Sequence, residues 1–186
     1  DPKGKSDGEI MRFCQAFMDE LYRHIGHYTD IPAGDIGVGE RETGYLYGRY
    51  KKLTNSYTPV LTGKGRSYSG SKGRPEATGF GLVYIAREYL LEHGRDLKGA
   101  RVAVSGSGNV ALHAAEKAAE LGATVITLSD SSGWIFDPNG IDIETAKFIK
   151  NKRHGRIEDY AAEVSGSAYT PGRFDWSPVC DIAFPC

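Results

Sequence analysis

The chain of 186 residues carries 23 basic and 24 acidic side chains, so it is long enough to bury a real core and too evenly charged to suggest a nucleic-acid partner or an acidic lipid surface. No run approaches the ~20 apolar residues of a membrane span, and no signal or transit pattern opens the chain. Cys14, Cys180 and Cys186 show no C-x-x-C spacing, so they read as free thiols of a reducing, cytoplasmic compartment, with no metal set expected.

In chain order, Ser6-Asp7-Gly8-Glu9 has the form of a capping box. Ile10, Phe13, Cys14, Phe17, Leu21 and Ile25 then repeat at helical spacing until Gly26, which predicts a long amphipathic helix with Cys14 on its buried stripe. His27 to Gly39 is rich in glycine and predicts a sharply turning loop. Glu40 to Lys52 reads as a second helix, with Tyr45, Leu46, Tyr50 and Leu53 as its apolar face. Thr54 to Gly73, punctuated by Gly63, Gly65, Gly70 and Gly73, is irregular, and so long a connection inside a compact domain points to function. Arg74-Pro75-Glu76-Ala77-Thr78 restarts helix, with proline suited to the first turn and an acid complementing the positive helix end. Phe80, Val83, Tyr84, Tyr89, Leu90 and Leu91 continue that pattern to Gly94.

The most informative stretch is Arg101 to Ser131. A short apolar strand at Val102–Val104 runs into Gly106-Ser107-Gly108-Asn109-Val110-Ala111, then an Ala-rich helix that stops at Gly122, then a second apolar run from Thr124 to Leu128 closed by Asp130. This is the first β-α-β unit of a dinucleotide-binding sheet. Gly106 permits the tight turn, Gly108 lets a pyrophosphate approach the backbone, and Ala111 keeps helix and strand close. Free N–H groups near Asn109 to Ala111 are placed to hold phosphate. A short strand at Trp134–Phe136, a turn at Asp137-Pro138-Asn139-Gly140 and a helix from Ile143 to Lys152 follow. A basic patch then gathers Lys147, Lys150, Lys152, Arg153 and Arg156, and Val179 to Phe184 reads as another buried strand. A doubly wound sheet wants more strands than these, so the chain reads as cut at both ends. The expected fold class is α/β: a truncated Rossmann-like doubly wound sheet over residues 74–186, preceded by part of an α/β substrate domain over residues 1–73.

DPKGKSDGEIMRFCQAFMDELYRHIG, IPAGDIGVG, LTGKG, RPEATGFG, VAVSGSGNVA, TLSDSSG and DIAFPC, in this order, resemble the hexameric glutamate dehydrogenases of microbial type. The resemblance implies a substrate domain and a nucleotide-binding domain, and interconversion of L-glutamate with 2-oxoglutarate and ammonium using NADP or NAD. It implies that Asp35 is the catalytic aspartate that handles protons as ammonia adds to a ketone and water leaves; read as a residue alone, an Asp after Pro-Ala-Gly is a turn residue. Ala33 resembles a backbone contact to substrate. Arg74 and Thr78 resemble contacts on the nicotinamide side, against plainer readings as a surface ion pair and a helix hydroxyl. Asn109 resembles a nicotinamide contact and could equally cap its helix.

Gly106, Ser107, Gly108 and Val110 complete the expected phosphate turn. Asp130 stands where an acid accepts from the ribose 2′-hydroxyl and favours NAD. Yet Ser129-Asp130-Ser131-Ser132 resembles NADP-using members, in which hydroxyls and a basic residue hold a 2′-phosphate, and Lys150 occupies the basic position. The plain reading of Lys150 is a solvated helix face. NADP is therefore expected over NAD. Ser69-Gly70-Ser71-Lys72-Gly73 departs from the family's Gly-Gly-Ser and two apolar residues, which loosens the placement of Arg74. The family's catalytic lysine lies before the equivalent of Asp1, so the expectation is a core fragment without activity alone and a homohexamer when intact. Alternatives are another amino-acid dehydrogenase of the same fold and a non-catalytic nucleotide-binding module.

Overall fold

The computed structural model describes residue 2 and residues 4–186, which group into two compact units, Asp1–Arg74 and Pro75–Cys186.

In the first unit, α1 (Asp7–Leu21) starts on the capping box read from sequence: the Ser6 hydroxyl accepts from the Glu9 N–H while the Glu9 carboxylate accepts from the Ser6 N–H at 2.8 Å. Two helix-end donors are thus satisfied reciprocally. The helix ends at Leu21, and a single 3-10 turn, Tyr22–His24, carries the chain to Ile25. Cys14, Met18 and Ile25 are buried. Phe13 and Phe17, expected on the same stripe, are 72% and 52% exposed and stack on each other with ring centroids 6.4 Å apart. Each sits about 100° round the helix from its buried neighbour, which puts it on the flank. In α2 (Glu40–Thr54) the buried stripe is Thr43, Tyr47 and Tyr50, while Tyr45 and Leu46 are half-buried and Leu53 is exposed. Arg49 grips Asp19 through two hydrogen bonds of 2.5 and 2.9 Å, tying α2 to α1. The stretch after α2 is far from structureless. Val60 and Leu61 are buried and join Met18, Ile25, Tyr47 and Tyr50 in one core, and Arg66–Tyr68 makes a 3-10 turn.

The second unit opens with α3 (Arg74–Glu92), whose Val83 and Leu90 are buried while Tyr84, Tyr89 and Leu91 are exposed. Its sheet has the order β4-β3-β2-β1-β5. The strands are β1 (Arg101–Val104), β2 (Thr124–Ser129), β3 (Gly133–Phe136), β4 (Ala168–Pro171) and β5 (Ile182–Phe184). β1 pairs in parallel with β2 and with β5 on its other side, whereas β2–β3 and β3–β4 are antiparallel. The sheet therefore reverses direction of build at β1, the point at which such sheets bind ligands beyond their carboxyl ends. The β1–β2 register slips between Val102 and Ala103, and the fully buried Thr127 repairs it: its hydroxyl accepts from Val104 N–H at 2.9 Å and donates to Val104 C=O at 3.1 Å.

α4 (Asn109–Glu120) packs on the sheet through Ala111, Ala114, Ala115 and Ala118, all buried. α3 crosses α4 at Gly79, where a methyl group would stand 2.6 Å from Ala114 N and 2.7 Å from Val110 O, so only hydrogen fits. The helix expected to run to Lys152 is α5 (Ile143–Lys147), capped by Asp142, and it loosens into a π turn at Phe148–Lys152. α6 (Ile157–Glu163) and β4 were not legible as elements. The expected strand from Val179 begins only at Ile182, and Val179 is 86% exposed. Tyr160 of α6 is fully buried, and its hydroxyl accepts from Asp142 N–H at 2.8 Å.

Candidate functional site

The turn after β1 is a built cradle. Gly106 has φ +80°, and a methyl group there would stand 2.8 Å from the carbonyl oxygen of Cys186, so a side chain is excluded both by conformation and by space. Ser129 fastens the turn to the end of β2: its hydroxyl accepts from Gly106 N–H at 2.7 Å, and its own N–H donates to Gly106 C=O at 3.0 Å. Ser107 is buried, Gly108 and Asn109 are exposed, and Val110 is half-buried.

Gly108, not Asn109, is the N-cap residue of α4, and no side chain caps that end. The capping role weighed for Asn109 is thereby corrected. Asn109 is the first residue inside the helix, and its amide Nδ2 instead donates to Pro75 C=O at 2.5 Å, tying α4 to the start of α3. The first N–H groups of α4 have no partner within the helix, and the positive end of its dipole faces out beyond β1. Thr78 and Arg74 lie in the first turns of α3, both exposed, and Arg74 makes no ion pair among the described residues.

Beyond β2 the chain builds a second polar centre around Asp130, whose side chain is only 8% exposed. Oδ1 accepts from Ser132 N–H at 2.8 Å and from the Ser132 hydroxyl at 2.6 Å. Oδ2 accepts from Ile157 N–H at 3.1 Å and faces Lys150 Nζ at 3.6 Å and an Arg156 nitrogen at 3.9 Å. Burial by itself would raise the Asp130 pKa, but the Ser132 hydroxyl and N–H, the Ile157 N–H and the Lys150 charge outweigh it and hold it at about 2. Lys150 is not on a solvated face. The π turn swings it inward, where it also donates to Gly155 C=O at 3.1 Å. Arg156 donates to the Ser131 hydroxyl at 3.2 Å with its side chain still 47% exposed.

Lys150 and Arg156 thus converge on one carboxylate and make a charged basin beside the serine turn. Arg156 is the member that sequence reasoning left without a role. The signal available was its place immediately before Ile157, with Asp159 three residues on: the Asp159 carboxylate accepts from Arg156 N–H at 2.9 Å and starts α6 there. Thus Gly106, Ser107, Gly108, Asn109, Val110, Ser129, Asp130, Ser131 and Lys150 come together along the carboxyl edge of one sheet.

Asp35 and Ala33 belong to the first unit. Asp35 is exposed and opens a tight turn in which its C=O accepts from Val38 N–H at 2.8 Å. Ala33 is exposed two residues earlier, on a loop strapped by Thr62 N–H donating to Pro32 C=O at 3.0 Å. Among the described residues no helix is long and apolar enough to cross a membrane, and no three His, Cys, Asp or Glu side chains cluster as a metal site.

Residues 69–186 match the sequence model of the Glutamate/Leucine/Phenylalanine/Valine dehydrogenases, and residues 1–52 match that of the Glu/Leu/Phe/Val dehydrogenase dimerisation domain. The chain is 57% identical over 192 residues to the NADP-specific glutamate dehydrogenase of Helicobacter pylori strain 26695, covering all of this chain and 43% of that protein. It is 58% identical over 189 residues to the NADP-specific enzyme of Escherichia coli K12, covering all of this chain and 42% of that one. The solved glutamate dehydrogenase of Plasmodium falciparum superposes over the whole chain with a TM-score of 0.91 at 51% identity, using 40% of its own length. The chain thus spans about two fifths of the relatives it matches. With its sheet, its glycine turn and both sequence models in agreement, this chain belongs to the Glutamate/Leucine/Phenylalanine/Valine dehydrogenase family.

Proposed function

We propose that this chain is part of an NADP-dependent glutamate dehydrogenase, an oxidoreductase that aminates 2-oxoglutarate with ammonium to L-glutamate and runs the reverse deamination. The observation that carries the cofactor choice is the state of Asp130. Both of its oxygens already serve internal donors, and its charge holds Lys150 and Arg156 in place. A ribose 2′-hydroxyl seeking an acceptor finds that carboxylate taken, whereas a 2′-phosphate finds two cations and the Ser131 hydroxyl. The names of the Helicobacter and Escherichia relatives, each NADP-specific, support the same choice over NAD.

The cradle fits such a cofactor. Gly108, with open space where a side chain would stand, leaves room for backbone approach, and the uncapped end of α4 offers N–H groups from Asn109, Val110 and neighbouring residues to the pyrophosphate. Ser129 holds the turn from beneath and Ser107 lies buried within it, Ser131, Lys150 and Arg156 take the 2′-phosphate, and Arg74, Thr78 and Asn109 serve the nicotinamide side. The bound nucleotide supplies hydride. The protein's own task is proton movement: Asp35 takes and returns protons as ammonia adds to the ketone of 2-oxoglutarate and water departs, and Ala33 lends backbone contact to the substrate. The family's dimerisation domain over residues 1–52 supports assembly, and we read a homohexamer. Three free thiols suit a cytoplasmic setting.

The test is ammonium-dependent oxidation of NADPH by the full-length protein. Turnover with 2-oxoglutarate well above that with branched or aromatic 2-oxo acids supports this reading. Preference for the latter selects another amino-acid dehydrogenase of the family, and NADPH binding without turnover a non-catalytic module.

A further inference from the structure

We infer that Lys64 is the positioning residue that locks the loop bearing Ala33 and Asp35, an inference that rests on the role given to Asp35 above. Two glycine-rich stretches of the first unit meet at Thr43, which is 1% exposed: methyl groups placed on Gly34 and Gly63 would stand 3.8 and 3.7 Å from its hydroxyl oxygen. The strap between the stretches is the hydrogen bond from Thr62 N–H to Pro32 C=O, at 3.0 Å. Lys64 acts on the other end of the same peptide unit. Its ammonium turns inward and donates to Leu61 C=O, the carbonyl bonded to the Thr62 nitrogen.

A cation on a peptide oxygen polarises the amide, so Lys64 strengthens the Thr62 N–H as a donor to Pro32. The ammonium lies 6.0 Å from the centroid of the Tyr47 ring, which is 3% exposed, and no acid pairs with it among the described residues. Burial draws its pKa below the ordinary lysine value. A half-buried ammonium without a carboxylate gives up part of its hydration with no opposite charge in return. An apolar side chain of equal length would fill the space as well, so the charge serves the peptide it binds. Beyond Lys64 the loop is closed by Tyr68 N–H and Gly70 N–H, which donate to Gly65 C=O at 3.1 and 3.0 Å, and by the Tyr68 hydroxyl donating to Glu40 C=O at 3.1 Å.

The experiment compares Lys64→Met and Lys64→Arg with wild type in the full-length protein, by amide hydrogen exchange at Thr62 and by kcat, KM for 2-oxoglutarate and NADPH affinity. For Lys64→Met the expectation is a local rise of about 10-fold in Thr62 exchange, the size of one charge-assisted hydrogen bond. A comparable fall in kcat should accompany it, with little change in KM or NADPH affinity, and Lys64→Arg should restore part of both. Unchanged Thr62 exchange overturns the inference. So does exchange that rises throughout the unit in both variants, or a loss that appears only in NADPH affinity. Wild type lacking ammonium-dependent turnover would defeat the role of Asp35, while Thr62 exchange would still decide the strap.

Discussion

Lys150 Nζ stands 3.6 Å from the carboxylate of Asp130, an acid only 8% exposed that also faces Arg156. Such an arrangement turns an acid usually credited with binding ribose into a holder of cations. Replacing either cation removes a charge-assisted contact to phosphate, which is worth about 1.5–3 kcal/mol. Lys150→Ala and Arg156→Ala are each expected to weaken NADP⁺ binding by roughly 10-fold or more while leaving NAD⁺ binding nearly unchanged. Calorimetric titration of each cofactor checks this.

Asp130 also gives the second unit an acid-sensitive joint. Its pKa is lowered from 3.8 to about 2 in the folded chain, so its contribution to stability is complete above pH 3.8 and disappears as the pH falls through about 2. Asp130→Asn should therefore lower the thermal transition at pH 7, and the gap between variant and wild type should close between pH 4 and 2. Scanning calorimetry over that range provides the measurement. A constant gap would mean that the carboxylate's charge contributes nothing.

At Gly79 the backbones of α3 and α4 touch with no room for a methyl group. Gly79→Val forces the helices apart and should cost about 2–3 kcal/mol, as overpacking of a core contact does. Urea unfolding monitored in the full-length protein reads that loss directly.

Asp35 lies on the exposed turn closed by Val38. Asp35→Asn keeps size and polarity but cannot carry a proton, so turnover should fall by about 100-fold or more, in the range ascribed to general acid–base groups. NADPH affinity should hold, and steady-state kinetics paired with a binding titration separates the two.

The elements best read from sequence were those whose signals are local. Ser6 and Glu9 announce the start of α1 three residues apart, and the strand, glycines, Ala-rich helix and second strand from Arg101 to Ser129 follow their periodicity closely. Phe13 and Phe17 misled because helical spacing alone does not say which of two adjacent stripes faces α2. β4 and α6 escaped notice for a related reason. β4 is mostly exposed, and α6 is short, so neither carries a full apolar period. The basin at Asp130 was legible in composition but not in connectivity. Nothing local to Lys150 tells that a π turn will swing it onto an acid twenty positions earlier, or that Arg156 will join it.

The most direct measurement is a titration of the full-length protein with 2′,5′-ADP and with 5′-AMP, which differ only in the 2′-phosphate. If Ser131, Lys150 and Arg156 form its seat, 2′,5′-ADP should bind at least about 10-fold more tightly, and Lys150→Ala together with Arg156→Ala should erase the difference. Equal affinity for the two nucleotides, or a preference that survives the double substitution, would contradict the account.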